Sequence, residues 1–196
     1  MAQTPSQMIA LGTEAPDFAL PDTTGAIITR DGFIGSPLLV GFICNHCPFV
    51  KHIGSQLGIL TKQWLTAGVA VVLINPNDWT THPADAPEHM PAFLSEYGIP
   101  GPYLVDESQD VARAYGAACT PDFFLYDRDH KLVYRGQFDS ARPGNDIPVT
   151  GEDLDAAVQA VLAGKDQQSS QNPSIGCGIK WRQDKNGDLQ QFSLNR

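Results

Sequence analysis

An α/β fold, with helices on both faces of a central mixed sheet, is predicted for this 196-residue chain by three observations. Two short uninterrupted apolar runs, 37–43 and 69–74, read as strands covered on both faces. Behind the first run, Val50, Ile53, Leu57, Leu60, Trp64 and Leu65 recur near the helical period, which predicts a long helix from Phe49. Further on, two apolar segments at 122–126 and 132–138 are separated by only five residues. So short a connection requires an antiparallel hairpin.

The remaining elements follow in chain order. Residues 15–21 carry Pro16 and Pro21 and suit an edge segment, since proline cannot donate to a central ladder. Residues 75–91, rich in Pro, Asp, His and Thr, read as a long loop of the kind that often serves function in a compact domain. Residues 92–97 read as helix, 103–105 as strand and 109–115 as helix. The last clear helix is 152–162, with Leu154, Val158, Val161 and Leu162 apolar and Gly164 suited to its C-terminal end. A polar, linker-like stretch at 167–172 then leads to Ile175, Cys177, Ile179 and Trp181, whose apolar character predicts a tail folded back onto the body. The expected division is therefore a domain at 1–163 and a C-terminal tail at 164–196 carrying Cys177.

Composition narrows the partners. A formal net charge of −9 argues against nucleic acid and against anionic membranes. No stretch approaches the roughly 18 consecutive apolar residues of a membrane span. Residues 1–11 contain no basic residue and no long apolar run, so a secretory signal is not expected and a cytoplasmic location is. In that setting four cysteines point to catalysis or redox sensing rather than to a structural framework.

The chemistry concentrates in Cys44-Asn45-His46-Cys47-Pro48, where the first apolar strand meets the long helix. Residues three apart in a turn lie within about 7 Å between Cα atoms, and a disulfide needs roughly 4.4–6.8 Å. Cys44 and Cys47 can therefore close and open a bond with little backbone movement. A zinc half-site is the competing reading, but it needs a second tight pair of ligands, and Cys119 and Cys177 stand far apart. The reactive species is the thiolate, and a helix N-terminus favours it through unpaired N–H groups and a partial positive charge. Protonated His46 would favour it further; the alternative for His46 is an exposed turn residue. Pro48 suits the first helical position, which makes Cys47 the expected N-cap.

Strand, Cys-x-x-Cys, long helix, strand, helix, Thr120-Pro121, hairpin and final helix, in that order, resemble the thioredoxin superfamily. Gly12-Thr13-Glu14-Ala15-Pro16-Asp17-Phe18-Ala19-Leu20 with Gly25 resembles the opening of its peroxiredoxin branch, the alkyl hydroperoxide reductase and thiol-specific antioxidant group. Residues 42–50, 119–124 and 176–181 together resemble peroxiredoxin-like proteins that carry a Cys-x-x-Cys pair. The resemblance implies a thioredoxin fold with an N-terminal extension and a thiol-disulfide oxidoreductase whose substrates are disulfides or hydroperoxides. It also implies an external, thioredoxin-like dithiol as electron donor, and neither cofactor nor resident metal.

The same resemblance assigns roles. Cys44 and Cys47 form the redox pair, with His46 as a tuning neighbour, an arrangement that resembles bacterial disulfide-introducing oxidases. Thr120-Pro121 is implied to be a cis bond facing the pair, its neighbour presenting an open backbone edge to an extended peptide. Thioredoxins attack with the first cysteine and peroxiredoxins with the one before a proline, so the expectation is Cys47 for peroxide and Cys44 for disulfide exchange. Three departures stand out: Val40 and Cys44 occupy the peroxiredoxin Pro and Thr positions, Pro121 the place of its peroxide-polarising arginine, and Leu38 the place of the buried thioredoxin acid. Cys119 and Cys177 are candidate additional redox thiols.

A non-enzymatic metal-binding or redox-sensing module built on all four cysteines is the alternative. Asp85 and Glu88 are expected to be solvated loop charges, and Asp139 with Arg142 an ion pair or a partner site. Trp79 is expected to cap the site or to pack on the core.

Overall fold

The computed structural model of the protein describes residues 3–167 and 170–183. In chain order the elements begin with β1 (Gln3–Pro5), β2 (Ala19–Pro21), β3 (Ile27–Thr29), β4 (Leu38–Phe42), α1 (Pro48–Thr66) and β5 (Ala70–Asn75). They continue with α2 (Met90–Tyr97), β6 (Tyr103–Val105), α3 (Asp110–Ala114), β7 (Cys119–Thr120), β8 (Asp122–Tyr126), β9 (Leu132–Gly136), α4 (Glu152–Leu162) and β10 (Ile175–Gly178).

The central sheet has the order β6-β5-β4-β8-β9. Its first three strands are parallel, and β8 and β9 run antiparallel to their neighbours, so the sheet is mixed as expected. Alternation along β4 sends Leu39 to one face and Leu38, Val40 and Phe42 to the other. On the first face Leu39, Val71, Leu73, Phe123 and Leu125 meet Val50, Ile53, Leu57, Leu60 and Trp64 of α1 and Leu154, Ala157 and Val158 of α4. On the second, Val40, Phe42, Val72, Ile74, Phe124 and Tyr126 meet Val111 and Ala112 of α3 together with Phe18 and Leu20. Each large apolar side chain so buried contributes about 1.5–3 kcal/mol. The indole N–H of Trp64 donates to Asp155 at 2.8 Å, tying α1 to α4.

The predicted strands and helices form within a few residues of their expected bounds. Four short strands, β1, β3, β7 and β10, carry too few residues to show a period; β3 pairs with nearby β2, and the other three exist only through distant partners. Those three make a separate antiparallel sheet in the order β1-β10-β7. Gln3 pairs with Cys177 and Thr4 with Gly176 on one side of β10; Cys177 pairs with Thr120 and Gly178 with Cys119 on the other. The tail thus folds back, with Cys177 and Ile179 buried. Gly176 is required there, because a Cβ would collide with the Thr120 carbonyl. Residues 1, 2, 168, 169 and 184–196 of the expected N-terminus, linker and tail lie outside the described residues. Among the described residues no helix is long and apolar enough to cross a membrane.

Candidate active site

β4 delivers the chain to the site beside β5, held by a hydrogen bond from the Ile43 N–H to the Ile74 carbonyl at 2.9 Å. The turn 44–47 follows, and α1 begins at Pro48 with Cys47 as its N-cap, as expected from the Cys47-Pro48 step. The Thr120–Pro121 peptide is cis. It sets one residue against both cysteines: the Thr120 hydroxyl lies 3.3 Å from Cys44 Sγ, and the Thr120 carbonyl 3.2 Å from Cys47 Sγ. Both cysteines are fully buried.

Their electrostatics differ sharply. Cys47 is held down to about 5, first by the hydrogen bond from the Cys44 thiol, then by hydrogen bonds from Cys177, the Val50 N–H and Thr120, all against the upward pull of burial. The Thr120 carbonyl binds only the protonated form and opposes ionisation, but the donors outweigh it. Cys44 is pushed well up, chiefly by burial and then by donating its proton to Cys47, with the charges of Asp85 and Cys47 adding to the effect. Hydrogen bonding thus favours the anion on Cys47, and burial favours the thiol on Cys44.

Asp85 corrects a sequence expectation. It is a fully buried carboxylate of the 75–91 loop rather than a solvated charge, and only Glu88 is exposed. Its Oδ1 accepts the backbone N–H groups of Asn45 at 2.9 Å and His46 at 3.0 Å. Its Oδ2 lies 2.6 Å from Nδ1 of His46 and accepts from the Asn77 amide at 2.8 Å. One side chain thus holds the Cys44–Cys47 turn from the far side of a loop. His46 is consequently no loose turn residue; its Nδ1 stands 3.9 Å from Cys44 Sγ and its ring stacks on His82. Tyr103 steadies the turn through a 3.1 Å hydrogen bond to Asn45. The only signal for Asp85 in the sequence was the length and composition of its loop.

β10 corrects a second expectation. The backbone edge beside Thr120, implied to be open to a peptide, is taken by the chain's own β10, through Cys177 and Gly178. That strand brings Cys177 to Cys47, with which its thiol shares a hydrogen bond, and burial pushes the Cys177 thiol up to about 12. Cys119 lies on β7, but its thiol donates to the Pro121 carbonyl at 3.5 Å, and burial pushes it well up. The four sulfurs do not converge on one centre. Among the described residues, the group with metal-ligand spacing is instead Cys44, His46 and Asp85, their ligand atoms within 4.8 Å of one another.

Asp139 and Arg142 form no direct carboxylate–guanidinium pair. Asp139 accepts the N–H groups of Ala141, Thr150 and Gly151, and Arg142 donates to the carbonyls of Asp139 and Ala141 and to Gln137. Trp79 packs half-buried on the core beneath the guanidinium of Arg182.

Sheet order, helix-capping cysteine and cis-proline loop together make this a redox protein of thioredoxin fold. Residues 11–135 match the AhpC/TSA family, and the chain belongs to it. A protein of Sinorhizobium meliloti of known structure is 54% identical, with a TM-score of 0.89 over 91% of this chain and 98% of that one. The thiol-disulfide oxidoreductase ResA of Bacillus subtilis is 26% identical over 127 residues, 65% of this chain and 67% of ResA. The thioredoxin domain of a thiol-disulfide oxidoreductase from Bacteroides vulgatus shares the fold, with a TM-score of 0.58 at 19% identity over 76% of this chain and 99% of that one.

Proposed function

We propose that the protein is a thiol-disulfide oxidoreductase in which Cys47 attacks and Cys44 resolves, the reverse of the expectation that Cys44 attacks in disulfide exchange. The observation that carries this reading is the place of Cys47 at the N-cap of α1, against Thr120 of the cis-proline loop and beside Cys44, surroundings that favour its anion while burial favours the thiol on Cys44. The Cys47 thiolate attacks one sulfur of a substrate disulfide; the other sulfur leaves as a thiolate and is protonated. Cys44 then attacks Cys47 Sγ, expels the second substrate thiolate and closes the Cys44–Cys47 disulfide. An external dithiol of thioredoxin type returns two electrons and two protons. A depressed thiol pKa stabilises the reduced pair and makes its disulfide the more oxidising.

A hydroperoxide is the second reading, favoured by Cys47 standing directly before Pro48 at the helix N-cap. In that case Cys47 attacks one peroxide oxygen, the O–O bond breaks and the other oxygen leaves as alcohol or water, and Cys44 then condenses with the Cys47 sulfenic acid, releasing water. Val40, Cys44 and Pro121 stand where a peroxidase places its positioning groups, so the developing charge on the peroxide oxygen lacks the donors that usually stabilise it. The disulfide reading therefore comes first. Cys177 is included as a third redox thiol because β10 sets it opposite Thr120 and against Cys47.

The test is mass spectrometry after one equivalent of either hydrogen peroxide or a small aromatic disulfide, on wild type, Cys44→Ser and Cys47→Ser, with a sulfenic-acid trap. Mixed disulfide on Cys47 in Cys44→Ser, with none on Cys44 in Cys47→Ser, is the expected result. Fast trap adduct on Cys47 with peroxide would extend the substrate range to hydroperoxides. No reaction at either cysteine with either oxidant would sink the proposal.

A further inference from the structure

We propose that Arg142 is a specificity-determining residue of the redox centre, receiving a carboxylate carried by a small disulfide substrate in the cleft beside Pro121. The inference rests on the thiol-disulfide reading above and names the substrate class of that same site.

The cleft lies between Phe49 and Ile53 of α1, Pro121, Phe138, Ile175 and Arg142. Three of its walls belong to elements that hold the cysteines. Phe49 stands two residues past Cys47, within about 7 Å of it between Cα atoms. Pro121 follows Thr120, whose carbonyl is 3.2 Å from Cys47 Sγ. Ile175 opens β10, the strand that carries Cys177. A group lodged in the cleft is thus within the span of a small molecule whose sulfur meets Cys47.

Arg142 supplies the one positive charge among the residues lining the cleft. It is half-buried, and its guanidinium meets no carboxylate among the described residues. Nη1 donates to the carbonyls of Asp139 at 2.6 Å and Ala141 at 2.7 Å, and Nη2 donates to Gln137 Oε1. All three acceptors are neutral. Nε is shielded from solvent without a partner, and one Nη2 hydrogen is unspent. The carboxylates of Asp139 and Asp153 act on the guanidinium only through space, while burial opposes its charge. Asp139, which also lines the cleft, is buried and turned to other donors, the N–H groups of Ala141, Thr150 and Gly151. Asp153 accepts from the Gln137 amide. A guanidinium held in one orientation by neutral acceptors, and lacking a contact counter-ion, is set up to bind a carboxylate. On a chain of net charge −9 it also gives the site a local preference opposed to the overall field.

Two observations make the substrate small. The backbone edge beside Thr120, where an extended peptide would add, is taken by β10. The cleft itself holds about 10 Å³, room for one water-sized group, so a single carboxylate oxygen enters while the rest of the molecule lies across its mouth.

The experiment uses the reduced full-length protein and two chromogenic disulfides, anionic 5,5′-dithiobis(2-nitrobenzoate) and neutral 4,4′-dithiodipyridine. Stopped-flow absorbance gives the second-order rate constant for release of the first thiol from each, and the ratio of the two reads the preference for a carboxylate. Arg142→Gln should lower that ratio about tenfold, the scale of one charge-assisted hydrogen bond at a half-exposed site. An unchanged ratio overturns the proposal and leaves the oxidoreductase reading standing. That outcome includes both reagents slowing by the same factor, which would assign Arg142 a purely structural role in its loop. If Arg142→Gln fails to fold, wild type carries the test with the nitrobenzoate reagent and its bis-amide, each rate divided by that of 2-mercaptoethanol with the same reagent. The carboxylate should then lead by about tenfold, and equal values, or a lead for the amide, overturn the proposal. Wild type that releases thiol from neither chromogenic disulfide overturns the oxidoreductase reading, and the proposal with it.

Discussion

Cys44 Sγ lies 3.3 Å from the hydroxyl of Thr120, 76 positions further along the chain. That hydroxyl favours the anionic form of both cysteines, whereas the Thr120 carbonyl favours the protonated form of Cys47. Thr120→Val keeps the shape and the carbonyl and removes only the favourable donor. Among the groups that hold Cys47 down it ranks last, so the Cys47 midpoint should rise by less than the roughly one pH unit that a full hydrogen bond of about 1.5 kcal/mol to a charged group would give. Iodoacetamide alkylation of Cys47 followed against pH measures it, and an unmoved midpoint would contradict the assignment.

The Cys44 thiol is the largest single influence holding Cys47 near 5. Cys44→Ala should therefore return Cys47 toward an ordinary thiol, while Cys44→Ser, which keeps an O–H donor, should leave it depressed. Wild-type alkylation is expected to be flat above about pH 6 and to fall through about pH 5, whereas Cys44→Ala should still be rising at pH 8. Identical profiles for the alanine and serine variants would remove the thiol-to-thiolate hydrogen bond from the account.

Gly176 sits on β10 where any Cβ would meet the Thr120 carbonyl and crowd the Pro121 nitrogen, both backbone atoms that cannot rotate aside. Gly176→Ala should destabilise the protein by about 1–3 kcal/mol, the usual cost of overpacking. It should also expose Cys177 to alkylation. Thermal unfolding and thiol counting in the native state check both, and a wild-type melting temperature with Cys177 still protected would refute the close packing of β10 on β7.

Asp122 is buried with one carboxylate oxygen unbonded, and burial raises it from 3.8 to about 8 against hydrogen bonds from the Ala118, Cys119 and Phe123 N–H groups. The protonated form is thus favoured in the fold. Its contribution to stability is fully present below the unfolded value of 3.8 and is lost as the pH climbs through about 8. Across that window the loss is at most about 1.4 kcal/mol per pH unit. Asp122→Asn should flatten this slope in urea unfolding at pH 5 and pH 8. Equal slopes in the two proteins would show that the carboxyl ionises without penalty.

What could be read from the sequence was whatever the chain writes locally. β4 and β5 are continuous apolar runs, α1 repeats its apolar residues near the helical period, and Pro48 fixes the helix start and the cap at Cys47. Thr120-Pro121 became legible only through a family resemblance, since a proline before a strand is ordinarily trans. Asp85 was hidden because its meaning lies 39 residues back, at His46, and a lone acid in a polar loop reads as solvated. β10 was hidden because Ile175-Gly176-Cys177-Gly178 carries no strand pattern, and its register comes from β1 and Thr120.

The β1-β10-β7 sheet binds Gln3–Pro5 near one end of the described chain to Ile175–Gly178 near the other, with the strand before Pro121 as its third member. The redox centre is therefore also a clasp. Contacts that close loops of more than 160 residues pay their entropy late in folding, so the wall around Cys47 is expected to be completed after the central sheet has formed. A chain in which Cys44 and Cys47 have already met would then still lack its Cys177 donor. The order can be read by pulse alkylation during refolding, in which Cys177 should become protected last; protection of Cys177 before that of Cys44 would reverse the sequence of events.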